Sequence, residues 1–173
     1  KTMAQKNNLL TFPAKRNFNC FQVKTFLIYS LLFCLLVPLC FFQFFVYGKS
    51  FCSGDGITEH TAFLAFYGEW LRTIAYNFIH GKFIVPTFSF SLGFGADIIS
   101  SLTWFCIGDP LNLLSIFVPK NGTYILFVFL AVLRFYLSGI SFIFYCNTHK
   151  FQKNIIPFGA ISYSFCGYAL FVG

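Results

Sequence analysis

From Thr25 to Gly48 the chain runs for 24 residues without one charged side chain. As a helix rising 1.5 Å per residue, this run is about 36 Å long and exceeds the ~30 Å hydrocarbon core of a bilayer. Backbone polar groups find no partners in lipid, so such a run is stable there only as a helix. Lys24 and Lys49 bracket it, where a span is anchored at its two interfaces. A secretory signal is the alternative, because basic residues precede the run. It fails on length, since a signal's apolar region has about 7–15 residues, and no small-x-small cleavage site follows. The run predicts a membrane span.

Composition agrees. With 57% hydrophobic and 10% charged residues, a soluble domain of this length would lack polar surface. The net charge of +7 does not point to nucleic acid, because the bases form no interleaved aromatic-basic patch. Residues 1–24 hold Lys1, Lys6, Lys15, Arg16 and Lys24 and no acid, which predicts a basic cytoplasmic tail. Residues 25–48 are the first transmembrane helix, and 49–121 then form an extracytoplasmic loop. A second span is expected over 122–146, a cytoplasmic loop over 147–154 with Lys150 and Lys153, and a third span over 155–173. The chain starts at Lys1 and stops within the uncharged run Asn154–Gly173, so it reads as a truncated part of a longer polytopic chain.

The acidic residues are all in one place. Asp55, Glu59, Glu69, Asp97 and Asp109 lie between the first two long apolar runs. Residues 57–80 read as an amphipathic surface helix, with Phe63, Tyr67, Trp70, Leu71, Ile74 and Phe78 on one side. Thr58, Thr61, Ala65, Glu69, Arg72 and Tyr76 lie opposite, and the helix is expected flat on the outer membrane surface. Residues 98–118 are apolar but broken by Gly108-Asp109-Pro110. Proline would break a helix and aspartate is costly in lipid, so a pair of short re-entrant or interfacial helices is expected.

Asp55, in Gly54-Asp55-Gly56, has two readings. Asp before a helix is a preferred cap, and Asp-Gly is a turn signal. The other reading is a carboxylate at the membrane–water boundary, with glycines that let a substrate approach the backbone. Glu59 lies one helical turn on and could join it. Asp97 and Asp109 have the same pair of readings. Arg134 sits between uncharged runs of 13 and 14 residues, close to mid-span. That position costs about 2.5–3.5 kcal/mol on insertion scales. It calls for an interior partner, a watery cavity or an anion such as a lipid phosphate, with snorkelling as the alternative.

Seven cysteines show no C-x-x-C pair and, with three scattered histidines, no metal-ligand spacing. Cys34, Cys40, Cys146 and Cys166 lie in apolar runs and read as small lipid- or core-facing residues. Cys52 and Cys106 share the outer loop, where an oxidising space would allow a disulfide.

In order, the segments resemble the YfhO family of bacterial multi-pass membrane proteins. Gly54-Asp55-Gly56 leads into an aromatic helix that ends in Glu69-Trp70-Leu71-Arg72. Ser91-Leu92-Gly93-Phe94-Gly95-Ala96-Asp97 and Gly108-Asp109-Pro110-Leu111-Asn112-Leu113-Leu114 follow, then Val118-Pro119. Leu133-Arg134-Phe135-Tyr136-Leu137-Ser138-Gly139 completes the match, which runs from about Thr25 to Gly173.

The resemblance implies an all-α, GT-C-like polytopic helical bundle with an outer loop of amphipathic and re-entrant helices. It implies a glycosyltransferase that moves a sugar from a polyprenyl-phosphate donor in the membrane lipid to a cell-surface polymer such as lipoteichoic acid. Asp55 would be the catalytic base, with Glu59, Arg72, Asp97, Asp109 and Arg134 as substrate-binding candidates. No cofactor is implied, and a divalent metal stays open. The chain departs from the pattern at Glu59, where glutamine is expected; a second acid there would alter the pKa of Asp55. A transporter of a lipid-linked sugar or polymer is the rival reading, and a non-catalytic membrane scaffold is a third.

Overall fold

The structure is a computed structural model that describes residues 20–47, 59–149, 151–152 and 154–166. Asp55 with its flanking glycines, the tail before Cys20 and the residues after Cys166 lie outside the described residues. The described chain is helical apart from one two-residue strand pair.

Helix α1 runs from Cys20 to Cys40 and α2 from Phe42 to Tyr47, so the first expected span is helical with one interruption. Pro38 lies inside α1, where it removes a helical donor and crowds the preceding turn. The helix gives way three residues later, at Phe41.

Helix α3 covers Thr61–Ile79, and Glu59 and His60 form the helical turn that leads into it. After Pro86 a small antiparallel pair, β1 (Phe88–Ser89) and β2 (Ala96–Asp97), closes a loop; its register sets Phe88 opposite Asp97. Two short helical arms follow. The first is α4 (Ile98–Leu102), which widens into a π-helical turn at Thr103–Ile107. The second is a 3-10 helix, Pro110–Phe117, with its proline in the first turn. The chain reverses between them at Gly108 and Asp109, so the expected pair of short helices is present. A 3-10 turn at Lys120–Gly122 leads into α5, Thr123–Thr148, and α6 spans Ile156–Ser164.

Two helices, over Val23–Cys40 and Lys120–Thr148, are long and apolar enough to cross a membrane. A core helix of a soluble protein would be mostly buried, whereas 17% of each of these is. On α1, Leu27, Leu31, Leu35 and Leu39 are 64–72% exposed, a stripe that lipid tolerates and water does not.

Helix α5 joins two apolar clusters. Its first half gives Leu126 and Leu130 to a cluster with Leu64 and Tyr67 of α3 and Ile98, Leu102 and Cys106 of the first arm. Its second half gives Ile143 and Cys146 to a cluster with Tyr29, Phe33 and Val37 of α1 and Ile156 and Ala160 of α6. The two clusters use different ends of one helix, and Arg134 sits between them.

Helix α3 is packed against the arms and α5, and this changes which of its residues are covered. Leu64, Ala65, Tyr67 and Gly68 are buried, so Ala65 lies on the packed side rather than opposite it. The reason is close approach: a Cβ on Gly68 would stand 2.6 Å from the Ser115 carbonyl oxygen. Small residues let the second arm lie directly on the helix.

Candidate functional site

The centre of the outer segment is a polar network at the tip of the two arms. Asp109 begins the 3-10 helix as its N-cap, and its Oδ1 accepts the Leu111 N–H at 2.8 Å. Its Oδ2 faces two of the three Arg134 nitrogens, accepting from Nε at 2.8 Å and lying 2.6 Å from Nη2. Each carboxylate oxygen thus has its own task. Arg134 Nη2 also donates to Asn112 Oδ1 at 3.0 Å, and Asn112 Nδ2 donates to the Cys106 carbonyl at 3.2 Å. Asn112, 4% exposed, links the cation to a carbonyl of the π-helical turn.

This pair fixes how deep the tip reaches. Arg134 lies 11 residues into α5, about 16 Å along its axis at the helical rise. Asp109 contacts it directly, so the Gly-Asp-Pro reversal lies beside the middle of α5 while both arms open toward its first turn. Among the described residues this is the only ion pair. It joins two candidates that the sequence had kept separate. Arg134 gains a carboxylate partner, and the local charges sum to zero.

Arg72 is used differently. Its Nη1 donates to the carbonyls of Ser115, Ile116 and Val118, at 2.9, 3.2 and 2.8 Å. Carbonyls at the end of a helical segment are short of partners, and one guanidinium nitrogen reaches three here, although the Ser115 carbonyl also accepts the Val118 N–H. The cation keeps its net charge, because these acceptors are neutral.

Asp97 is the N-cap of α4: its Oδ1 accepts the Ser100 N–H at 2.7 Å. That bond to the ionised form holds the Asp97 carboxyl below its ordinary value. Glu59 is exposed in the turn before α3. Cys106 is a free thiol, 2% exposed, and forms no bridge; Cys52 lies outside the described residues. No group of three or more His, Cys, Asp or Glu side chains among the described residues is placed to hold a metal.

A groove of about 610 Å³ lies between α3 and the segment from Ser91 to Ser101. Phe63, Phe66 and Leu92 line its apolar part, and Glu69, Ser101 and Lys120 supply polar groups. Phe63 is held by a parallel stack on Phe105, with ring centroids 4.2 Å apart. Glu69, Lys120, Asn112 and Ser115 were not singled out from the sequence as site residues. The motif Glu69-Trp70-Leu71-Arg72 carried a usable signal for Glu69, since an acid three residues from Arg72 shares its side of the helix. Nothing local marks Asn112, whose role comes only from contact with α5.

No curated protein and no solved structure matches the chain. A family model does, over residues 25–172, which takes in nearly all of both long apolar helices, the α3 unit and the Asp109–Arg134 network. The chain belongs to the family described as bacterial membrane protein YfhO.

Proposed function

We propose that this membrane protein is a GT-C-like glycosyltransferase that transfers a sugar from a polyprenyl-phosphate donor to a cell-surface polymer on the outer face. The observation that carries the reading is the segment between the two spans. It is a built unit, a helix packed on two capped arms, and it holds every carboxylate of the chain apart from Asp55, which directly precedes it. A linker joining two spans needs no such core.

In the proposed reaction, Asp55 takes the proton from an acceptor hydroxyl as the oxygen attacks the anomeric carbon. The bond from that carbon to the phosphate oxygen breaks, and the polyprenyl phosphate leaves with the electron pair. A cation near the leaving oxygen stabilises the developing charge. Arg72 suits this role better than Arg134, because Arg72 holds neutral carbonyls while Arg134 is neutralised by Asp109. Under this reading the tail before the first span is cytoplasmic and the α3 unit faces outward.

The test is sugar transfer in membranes containing the protein, wild type beside Asp55→Asn, with polyprenyl-phosphate-linked sugars. Transfer should fall by at least about 10²-fold at equal membrane level if a general base is removed. Undiminished transfer by Asp55→Asn would remove Asp55 from the chemistry. The second reading, a transporter of a lipid-linked sugar, draws on Asp109–Arg134, an ion pair beside the middle of a span. It predicts movement of the lipid-linked sugar across the bilayer with no new glycosidic bond.

A further inference from the structure

The groove beside α3 contains an acid and a base that do not meet. Glu69 and Lys120 both line it, both are exposed, and neither forms an ion pair with another described residue. Had they closed on each other, the groove would present a neutral rim. Apart, they present one negative and one positive point across a shared cavity, with Ser101 as a neutral hydroxyl and Phe66 and Leu92 as an apolar wall. Its volume of about 610 Å³ is within the range of small-molecule sites.

The ligand that complements such a site is zwitterionic. A phosphate would face the Lys120 ammonium, a compact point charge suited to phosphate oxygens. A primary ammonium would face the Glu69 carboxylate, which can only accept hydrogen bonds. The serine hydroxyl can serve a remaining phosphate oxygen, and the apolar wall can cover the carbon skeleton that follows. A net-neutral ligand on a net-neutral pair leaves no charge unmatched, whereas an anionic headgroup with hydroxyls would face Glu69 without a countercharge.

We propose that the groove between α3 and the Ser91–Ser101 segment binds a phosphoethanolamine group, with its phosphate at Lys120 and its ammonium at Glu69. The group, a phosphodiester of zero net charge, can come from a membrane lipid headgroup or from a soluble diester such as glycerophosphoethanolamine. The proposal stands on the groove and does not depend on sugar transfer.

Binding isotherms of the detergent-solubilised chain test it, with dihexanoyl phosphatidylethanolamine, dihexanoyl phosphatidylglycerol and soluble glycerophosphoethanolamine as probes. The wild type should prefer the ethanolamine lipid over the glycerol lipid by about tenfold or more. Glu69→Gln should abolish that preference and keep residual affinity for both lipids, while Lys120→Gln should weaken both. Competition by soluble glycerophosphoethanolamine assigns the soluble source, and lipid binding without such competition assigns the bilayer; either supports the site. Equal binding of the two lipids by the wild type, or an undiminished preference in Glu69→Gln, overturns it. Both substitutions are at exposed positions, and unchanged helical content by circular dichroism verifies the fold of each variant.

Discussion

At Arg134 the cost of a cation midway along a long apolar helix is met by Asp109 and Asn112. Each partner of the ion pair keeps 32% of its side-chain surface exposed, so the pair is neither dry nor open. Asp109→Ala should strand the guanidinium, at a cost bounded by the about 2.5–3.5 kcal/mol of an unpaired mid-span charge and lowered by that exposure. Arg134→Leu with Asp109→Ala should restore much of the loss. A double-mutant cycle from thermal unfolding in detergent checks this, and a coupling below about 0.5 kcal/mol would mean the two residues act independently. In the sequence, Arg134 is legible as a residue in need of a partner. Asp109 is not legible as that partner, because the pairing arises from the fold-back of the second arm on α5. Capping was legible at both Asp97 and Asp109, since the aspartate precedes an apolar helix in each case. Capping uses one carboxylate oxygen and does not tell what the other one touches.

Among the elements, α3 and the two arms form one packed unit whose tightest point is Gly68 on Ser115. Gly68→Ala would place a methyl group 2.6 Å from a backbone oxygen that cannot swing aside. Overpacking of this kind costs about 1–3 kcal/mol. Gly108→Ala is the comparison, because a Cβ there meets nothing within 4 Å. The melting temperature of Gly68→Ala should drop well below that of Gly108→Ala; equal values would show that α3 and the second arm separate freely. The helical period of α3 was visible in its aromatic spacing. Which side is covered was not, because Ala65 and Gly68 are selected for close approach and contribute little to an apolar pattern. The break at Gly108-Asp109-Pro110 was legible, since proline and a buried charge both act against a continuous helix. That the first arm ends in a π-helical turn, with Asn112 holding one of its carbonyls, has no counterpart in the local sequence.

For the whole molecule, hydropathy alone gave both long helices, within a few residues of α1 with α2 and of α5. The expected orientation makes a direct prediction. Trypsin added outside sealed, right-side-out vesicles should cut at the exposed Lys82 and leave an epitope at the basic tail intact. Loss of the epitope with Lys82 protected would reverse the topology. Deeper in the bundle, the Tyr29 hydroxyl of α1 donates to the Tyr136 carbonyl at 3.0 Å and also contacts Ser164 Oγ at 3.0 Å. Gly139 makes room for it, because a Cβ there would collide with both hydroxyls. This contact has a consequence for biosynthesis. Tyr29 emerges from the ribosome 107 residues before Tyr136 and 135 residues before Ser164. At about 5–20 residues per second, α1 must remain for several seconds without the partners of its most buried polar group. The contacts that clasp the first helix can therefore form only late in synthesis, when α5 and α6 have been made.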